Sequence, residues 1–165
     1  MAITTINIGS AANDGTGDTL RAAFGHVNTN FQNFKIEGTD FTGSILIGHN
    51  TTGTLDNAQN NVGIGIGALD AVTQADNNVA IGYNAATLLT TGFNSVFIGA
   101  YSGDSIISGN SNVAVGYQSL TNETQGDRNV AIGHGALNLQ NNTSDIDVYN
   151  VAVGYTAGAS ITTGA

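Results

Sequence analysis

The amino-acid sequence predicts a mainly β protein: a parallel β-roll or β-solenoid of about seven 17-residue coils, preceded by an N-terminal extended segment and one helix. Three observations predict it. A phrase of Asn or Ser, two β-branched residues around a spacer, and Gly occurs seven times. Its glycines lie 17 residues apart five times and then 21 apart. The chain also has 23 Gly and no Pro. A fixed short period is typical of a solenoid, in which each unit packs on its neighbours.

The repeated phrase has Ile or Val at two positions, two residues apart. This alternation is typical of a strand, and stacked coils about 4.8 Å apart would place like residues above one another. We expect these residues to face inward as a core ladder. After a first copy at 44–48, its members are Val62, Ile64, Val79, Ile81, Val96, Ile98, Val113, Val115, Val130, Ile132, Val151 and Val153.

Other positions of the repeat form rows with their own requirements. The Asn or Ser before each strand predicts stacked side chains that bond to one another and to the turn backbone. The Gly row indicates either a positive φ or a close backbone approach. Three residues later every copy has a small side chain, suited to packing across the coil or against another chain. Five copies are aliphatic at the seventh position, which predicts a second, weaker strand.

The N-terminal 36 residues differ in pattern and predict a separate attachment segment. A turn rich in Asp and Gly at 13–18 comes before a helix over about 19–33, with an apolar stripe of Leu20, Phe24, Val27 and Phe31. A single helix of this length needs a partner for its stripe, either its own chain or a larger assembly. The turn does not match a calcium loop, because Gly25 stands where the bidentate Glu would be needed. Residues 37–43 form a joint, and 44–165 form the solenoid.

Two segments carry a family resemblance. The phrases NVAIGYNA, NVAVGYQSL and NVAIGHGAL resemble the head repeats of trimeric autotransporter adhesins and repeats of phage tail fibres. The segment NDGTGDTLRAAFGHVNTNF resembles an N-terminal segment of phage tail fibre and tail-associated proteins. The first resemblance implies a left-handed parallel β-roll with three chains side by side. The second implies attachment to a virion. The 17-residue period is a few residues longer than that usual in the adhesin heads.

Composition excludes several function classes. Three Lys and Arg against a net charge of −9 argue against nucleic-acid binding, which requires phosphate neutralisation. With no Cys, disulfides and thiolate metal sites are absent, and no apolar run has the length of a membrane span. The histidines His26, His49 and His134 form no catalytic set, and the acidic residues stand singly in turns. We expect no enzyme activity, no metal and no cofactor.

The function expected is that of a structural virion protein: a homotrimeric phage tail fibre that docks on tail or baseplate proteins by its N-terminus and projects its shaft toward the host. The alternative is a bacterial trimeric surface adhesin head on the cell surface. The longer spacing between Gly133 and Gly154 predicts a loop. This loop is either a tolerated longer turn or a contact with a host glycan or protein through Asp145, Asp147 and Tyr149. The ordinary repeat at the C-terminus predicts that the natural chain continues beyond residue 165.

Overall fold

In a computed structural model, residues 34–38, 41–48 and 55–164 are described, and they form eleven strands without a helix. The strands are β1 (Phe34–Gly38), β2 (Phe41–Ile47), β3 (Ala58–Gln59), β4 (Val62–Ile64), β5 (Val79–Ile81), β6 (Val96–Ile98), β7 (Val113–Val115), β8 (Gly126–Asp127), β9 (Val130–Ile132), β10 (Ile146–Asp147) and β11 (Val151–Val153).

The predicted solenoid is confirmed. Strands β2, β4, β5, β6, β7, β9 and β11 pair in parallel in that order, and the chain makes about six turns between them. In the regular coils each strand residue pairs with the residue 17 positions later: Val62 pairs with Val79, and Val79 with Val96. After β2, each strand of this parallel stack is only three residues long, so its stability depends on the coils above and below it.

The orientation of the strands is the reverse of the one expected. In each three-residue strand the middle residue is buried and the flanking Val and Ile residues point outward. Leu46, Ala80 and Phe97 are completely buried, whereas Ile98 is 38% exposed and Val153 is 65% exposed. The core-ladder residues therefore stack in register but lie on the outer face: Val62, Ile64, Val79, Ile81, Val96, Ile98, Val113, Val115, Val130, Ile132, Val151 and Val153.

The coil interior is too narrow for two rows of β-branched side chains. It is filled by small residues, by the aliphatic row of Val72, Leu89 and Ile106, and by pairs of complementary volume, formed by the middle strand residue and a residue six positions later. Phe97 lies over Gly103, where an added Cβ would collide with the Phe ring, and the next coil has Ala114 with Leu120 instead. Close packing of this kind leaves no room for a large side chain at both positions of one pair.

The Asn row forms an internal ladder, as expected. Asn78 is completely buried, and its Nδ2 donates to Asn61 Oδ1 at 3.2 Å and to the Gly92 carbonyl at 2.8 Å. Its Oδ1 accepts the Ser95 N–H at 2.9 Å. Buried amides in such a ladder satisfy both themselves and the backbone of the turn, which lowers the cost of burying them.

The Gly row meets both conditions proposed for it. Gly82 and Gly99 have φ values of +139° and +128°. A Cβ on Gly82 would lie 2.6 Å from the Gly99 carbonyl carbon, and one on Gly99 would lie 2.5 Å from the Gly116 carbonyl oxygen. A side chain here would therefore be strained and would also collide with the next coil.

The second half of each coil consists of turns, so the second strand predicted around the small and aliphatic rows is wrong. Left-handed residues recur there, including Ala86 (φ 49°) and Leu120 (φ 53°), which prevents an extended segment. The second strands are two-residue pieces further on, β3, β8 and β10. Within this half the side chains of the small row are completely buried at Ala68, Ala85, Ser102, Ser119 and Ala136. These small residues therefore pack across the interior of their own coil and not against another chain.

The start of the solenoid differs from its predicted boundary. β1 pairs with β2 in antiparallel orientation, so residues 34–38 cover the first coil edge. β2 begins at Phe41 rather than at residue 44, because this hairpin extends the pairing. The predicted helix over 19–33 and its stripe of Leu20, Phe24, Val27 and Phe31 lie outside the described residues.

Candidate functional site

The outer side of the solenoid sheet carries a continuous apolar surface, here called the Val/Ile face. Seven parallel strands each contribute two side chains to it, the residues of the ladder described above together with Ile45 and Ile47. Ile64 is 40% exposed although it stacks between like residues of adjacent strands. Exposed apolar patches of this extent are rare on monomeric proteins, so the Val/Ile face is the candidate interaction surface.

An aromatic column borders this face, one residue after the repeat glycine in four coils and two residues after it, at Tyr101, in the coil of Gly99. It consists of Tyr83, Tyr101, Tyr117, His134 and Tyr155, with ring centroids 5.3, 6.1, 5.1 and 5.1 Å apart in that order. The first three rings meet edge to face, and His134 stacks on Tyr155. The coil spacing brings each ring within range of the next, so the column adds aromatic contacts along the solenoid axis. Desolvation, followed by the neighbouring Tyr83, raises the pKa of Tyr101.

The inserted loop places its three predicted contact residues at the surface. Asp145, Asp147 and Tyr149 are exposed. Arg128 forms an ion pair with Asp147, and its guanidinium lies 5.6 Å from the centroid of the Tyr149 ring. The Tyr149 hydroxyl also donates to Asp147 at 2.9 Å. The loop thus carries a small ordered cluster, and its contact with a receptor remains a prediction.

A pair of carboxylates, Asp127 and Asp145, lies beside this cluster. Asp127 is nearly buried and accepts the Asn110 N–H at 2.6 Å. Burial raises the pKa of Asp127; the Asn110 hydrogen bonds oppose this rise, and the neighbouring Asp145 adds to it. Among the described residues no group of three or more His, Asp or Glu side chains is arranged to hold a metal ion.

Sequence reasoning missed Glu123, which it placed singly in a turn. The side chain is completely buried at the seventh position after Gly116, in the row that is aliphatic in other coils. Burial alone would raise the pKa of Glu123, but hydrogen bonds from Gln140, the Gly126 N–H and Asn142 outweigh it and hold the pKa below its usual range. A charged residue in an aliphatic row is the sequence signal that could have identified it.

Comparison of the chain with protein-family models, with curated proteins and with solved structures gave no match. In the part of the chain that the structure describes, no helix has the length and apolarity to cross a membrane.

Proposed function

We propose that this chain is a structural, non-catalytic protein: the shaft of a homotrimeric fibre of a phage tail, with the Val/Ile face of each copy packed against the others. The observation that carries the proposal is the outward orientation of that face over all seven parallel strands. Fully burying an exposed β-branched side chain contributes roughly 1.5–3 kcal/mol, and each side chain of this face would gain the share of it that is still exposed, so a face of this length favours association. The small row, whose members from Ala68 to Ala136 are buried inside the coil, does not provide this contact.

The tail-fibre part of the proposal is supported by the sequence resemblance of residues 13–31 and of the repeats. A narrow solenoid with few charges suits a shaft, because its length grows by one coil for each repeat at little cost in surface. The docking partner is a tail or baseplate protein, contacted through the N-terminal segment and the stripe of Leu20, Phe24, Val27 and Phe31. A host glycan or protein would bind at the outer end of the fibre or at the inserted loop.

Light scattering and paired substitutions test the association. The wild-type protein should give about 50 kDa, three times the 16.7 kDa chain. Ile98→Lys places a charge in the Val/Ile face and should give monomers or unfolded protein. Leu88→Lys is its matched control, because Leu88 is 49% exposed but lies in the turn half of the coil. A folded wild-type monomer at micromolar concentration, or equal effects of both substitutions, would refute the role of this face.

Virion attachment is tested separately. Deleting residues 1–33 keeps β1 and the solenoid, so the truncated protein should retain its thermal unfolding transition but fail to enter assembled particles. Incorporation of the truncated chain would rule out the docking role. Detection of the full chain on the bacterial cell surface, and not in particles, would instead support the adhesin alternative.

A further inference from the structure

The contact between two successive coils, here called a coil junction, is built differently at one place in the solenoid. The seventh position after each repeat glycine is aliphatic and buried in three consecutive coils, at Val72, Leu89 and Ile106. The next two coils have Glu123 and Gln140 there, and both are completely buried. They stack like the aliphatic residues, and Gln140 Nε2 donates to Glu123 Oε2 at 2.7 Å. A polar pair therefore replaces apolar packing at this junction.

The Glu123 carboxylate is held by N–H donors alone. Its Oε1 accepts the backbone N–H groups of Thr124, Gln125 and Gly126 at 3.0, 3.3 and 2.8 Å. It also accepts the Asn142 N–H at 2.9 Å, while Oε2 accepts Asn142 Nδ2 at 2.8 Å. A buried carboxylate is costly unless such donors surround it, and a protonated one would leave several donors without an acceptor.

These bonds join three successive coils. Asn142 belongs to the longer coil that contains the inserted loop, and its Oδ1 accepts the Gly164 N–H at 3.3 Å. Gln140 Oε1 accepts Asn150 Nδ2 at 2.7 Å. The network around Glu123 thus connects its own coil with the loop, with the start of β11 and with residues beyond it.

At the same junction the Asn ladder is interrupted. In an earlier coil Asn112 Oδ1 accepts the Asn129 N–H at 2.9 Å, but Asn129 Oδ1 is buried and has no hydrogen-bond partner. The amide of Asn150, which would continue the ladder, is bonded to Gln140 instead. The junction therefore relies on Glu123 where other junctions rely on aliphatic packing and a continuous ladder.

We infer that the ionised carboxylate of Glu123 fastens residues 138–164 to the rest of the solenoid, and that loss of its charge releases this segment as one unit while the coils before Gly116 stay folded. The inference does not depend on the proposed fibre function. The boundary between the released segment and the folded coils would lie between the coil of Arg128 and the longer coil that contains Asp147 and Tyr149.

The other charged groups nearby do not contact this carboxylate. Arg128 pairs with Asp147 and Asp127 lies beside Asp145, whereas every group bonded to Glu123 is an amide or a backbone N–H. The folded-state pKa of Glu123 is depressed, so its stabilisation is complete above the ordinary Glu pKa and is lost as pH falls through the depressed value.

Hydrogen exchange resolved by peptide tests the inference. In the full chain, Glu123→Gln keeps the shape but removes the charge, and exchange in 138–164 should rise roughly tenfold or more relative to wild type, with 62–115 unchanged. Glu123→Leu should have a larger effect, although Leu is the residue at this position in an earlier coil. Adding Gln140→Leu to it restores an aliphatic row but leaves the Gly126 and Asn142 N–H groups unpaired, and should not recover protection.

Asp104→Asn is the charge control, since it removes a half-buried carboxylate from an earlier turn, and it should leave exchange in 138–164 at the wild-type rate. Wild-type protein taken from neutral pH into acid should lose protection in 138–164 before 62–115. Exchange that rises equally in both segments, or recovery of protection by the double Leu substitution, would overturn the inference. If the variants do not fold, the acid series is compared between wild type and Asp147→Asn, which lacks the Arg128 ion pair: loss of protection in 138–164 before 62–115 in both proteins supports the inference, and its absence from Asp147→Asn would overturn it.

Discussion

The contact between Phe97 and Gly103 predicts that two substitutions, each harmful alone, compensate each other. Phe97 is completely buried, and its ring fills the space above Gly103. Phe97→Ala should cost about 3–5 kcal/mol in the free energy of unfolding, because it leaves a cavity in a coil with little other core. Gly103→Leu alone should cost about 3 kcal/mol or more, since its Cβ would overlap the ring.

The double substitution gives the pair that the next coil has, Ala114 with Leu120. The backbone accepts it, because Gly103 has φ 56° and Leu120 has φ 53° in the equivalent position. We therefore expect the double variant to lie within about 1.5 kcal/mol of wild type, with a coupling energy of several kcal/mol. Urea unfolding at one fixed protein concentration measures all four proteins. Additive losses in the double variant would refute the complementary filling of the coil.

Three further predictions follow from the rows of the repeat. Gly99→Ala should lower the melting temperature far more than Gly154→Ala. Both residues have φ near +130°, but only at Gly99 would the added Cβ lie 2.5 Å from a backbone atom of the next coil. Asn78→Ala should cost about 2–4 kcal/mol in urea unfolding by leaving the Ser95 N–H and the Gly92 carbonyl unpaired, while Gln74→Ala at the surface should stay within about 0.5 kcal/mol. Asp127→Asn should raise the melting temperature at neutral pH, and the gain should vanish in acid. Folding raises the pKa of Asp127, so ionisation of this carboxyl destabilises the folded state as pH rises through the folded-state pKa. An equal gain in melting temperature at both pH values would contradict this.

The period, the parallel stacking and the Asn ladder could be predicted because they follow from local chemistry. A buried Asn beside a turn and a glycine without room for Cβ have few alternative explanations. The orientation of the Val and Ile residues could not be predicted in the same way. An alternation of period two is the same whether its large members face inward or outward, and the spacer residue is small in most copies.

A subtler signal does fix the orientation. Wherever the spacer or the residue six positions later is large, the other is small, as in Gly63 with Leu69 and Phe97 with Gly103. Only residues that share one enclosed volume need to compensate in this way, so the spacer must face inward. The network of Glu123 was harder to predict, because two of its donors belong to Asn142, in the one coil whose length departs from the repeat.

The proposed fibre also predicts how its copies would be aligned. In a cyclic oligomer about the fibre axis, equivalent coils face one another and all N-termini lie at one end, as attachment requires. In an antiparallel pair, coils near opposite ends would meet instead. The chain has no Cys, so Ile64→Cys and Ile132→Cys introduce single thiols on this face, four coils or about 19 Å apart along the axis. A disulfide requires Cα atoms within about 7 Å. We expect each variant to form disulfide-linked dimers with itself on oxidation, and a mixture of the two to form no additional species. Cross-links that appear only in the mixture would show antiparallel packing and exclude a shaft attached at one end.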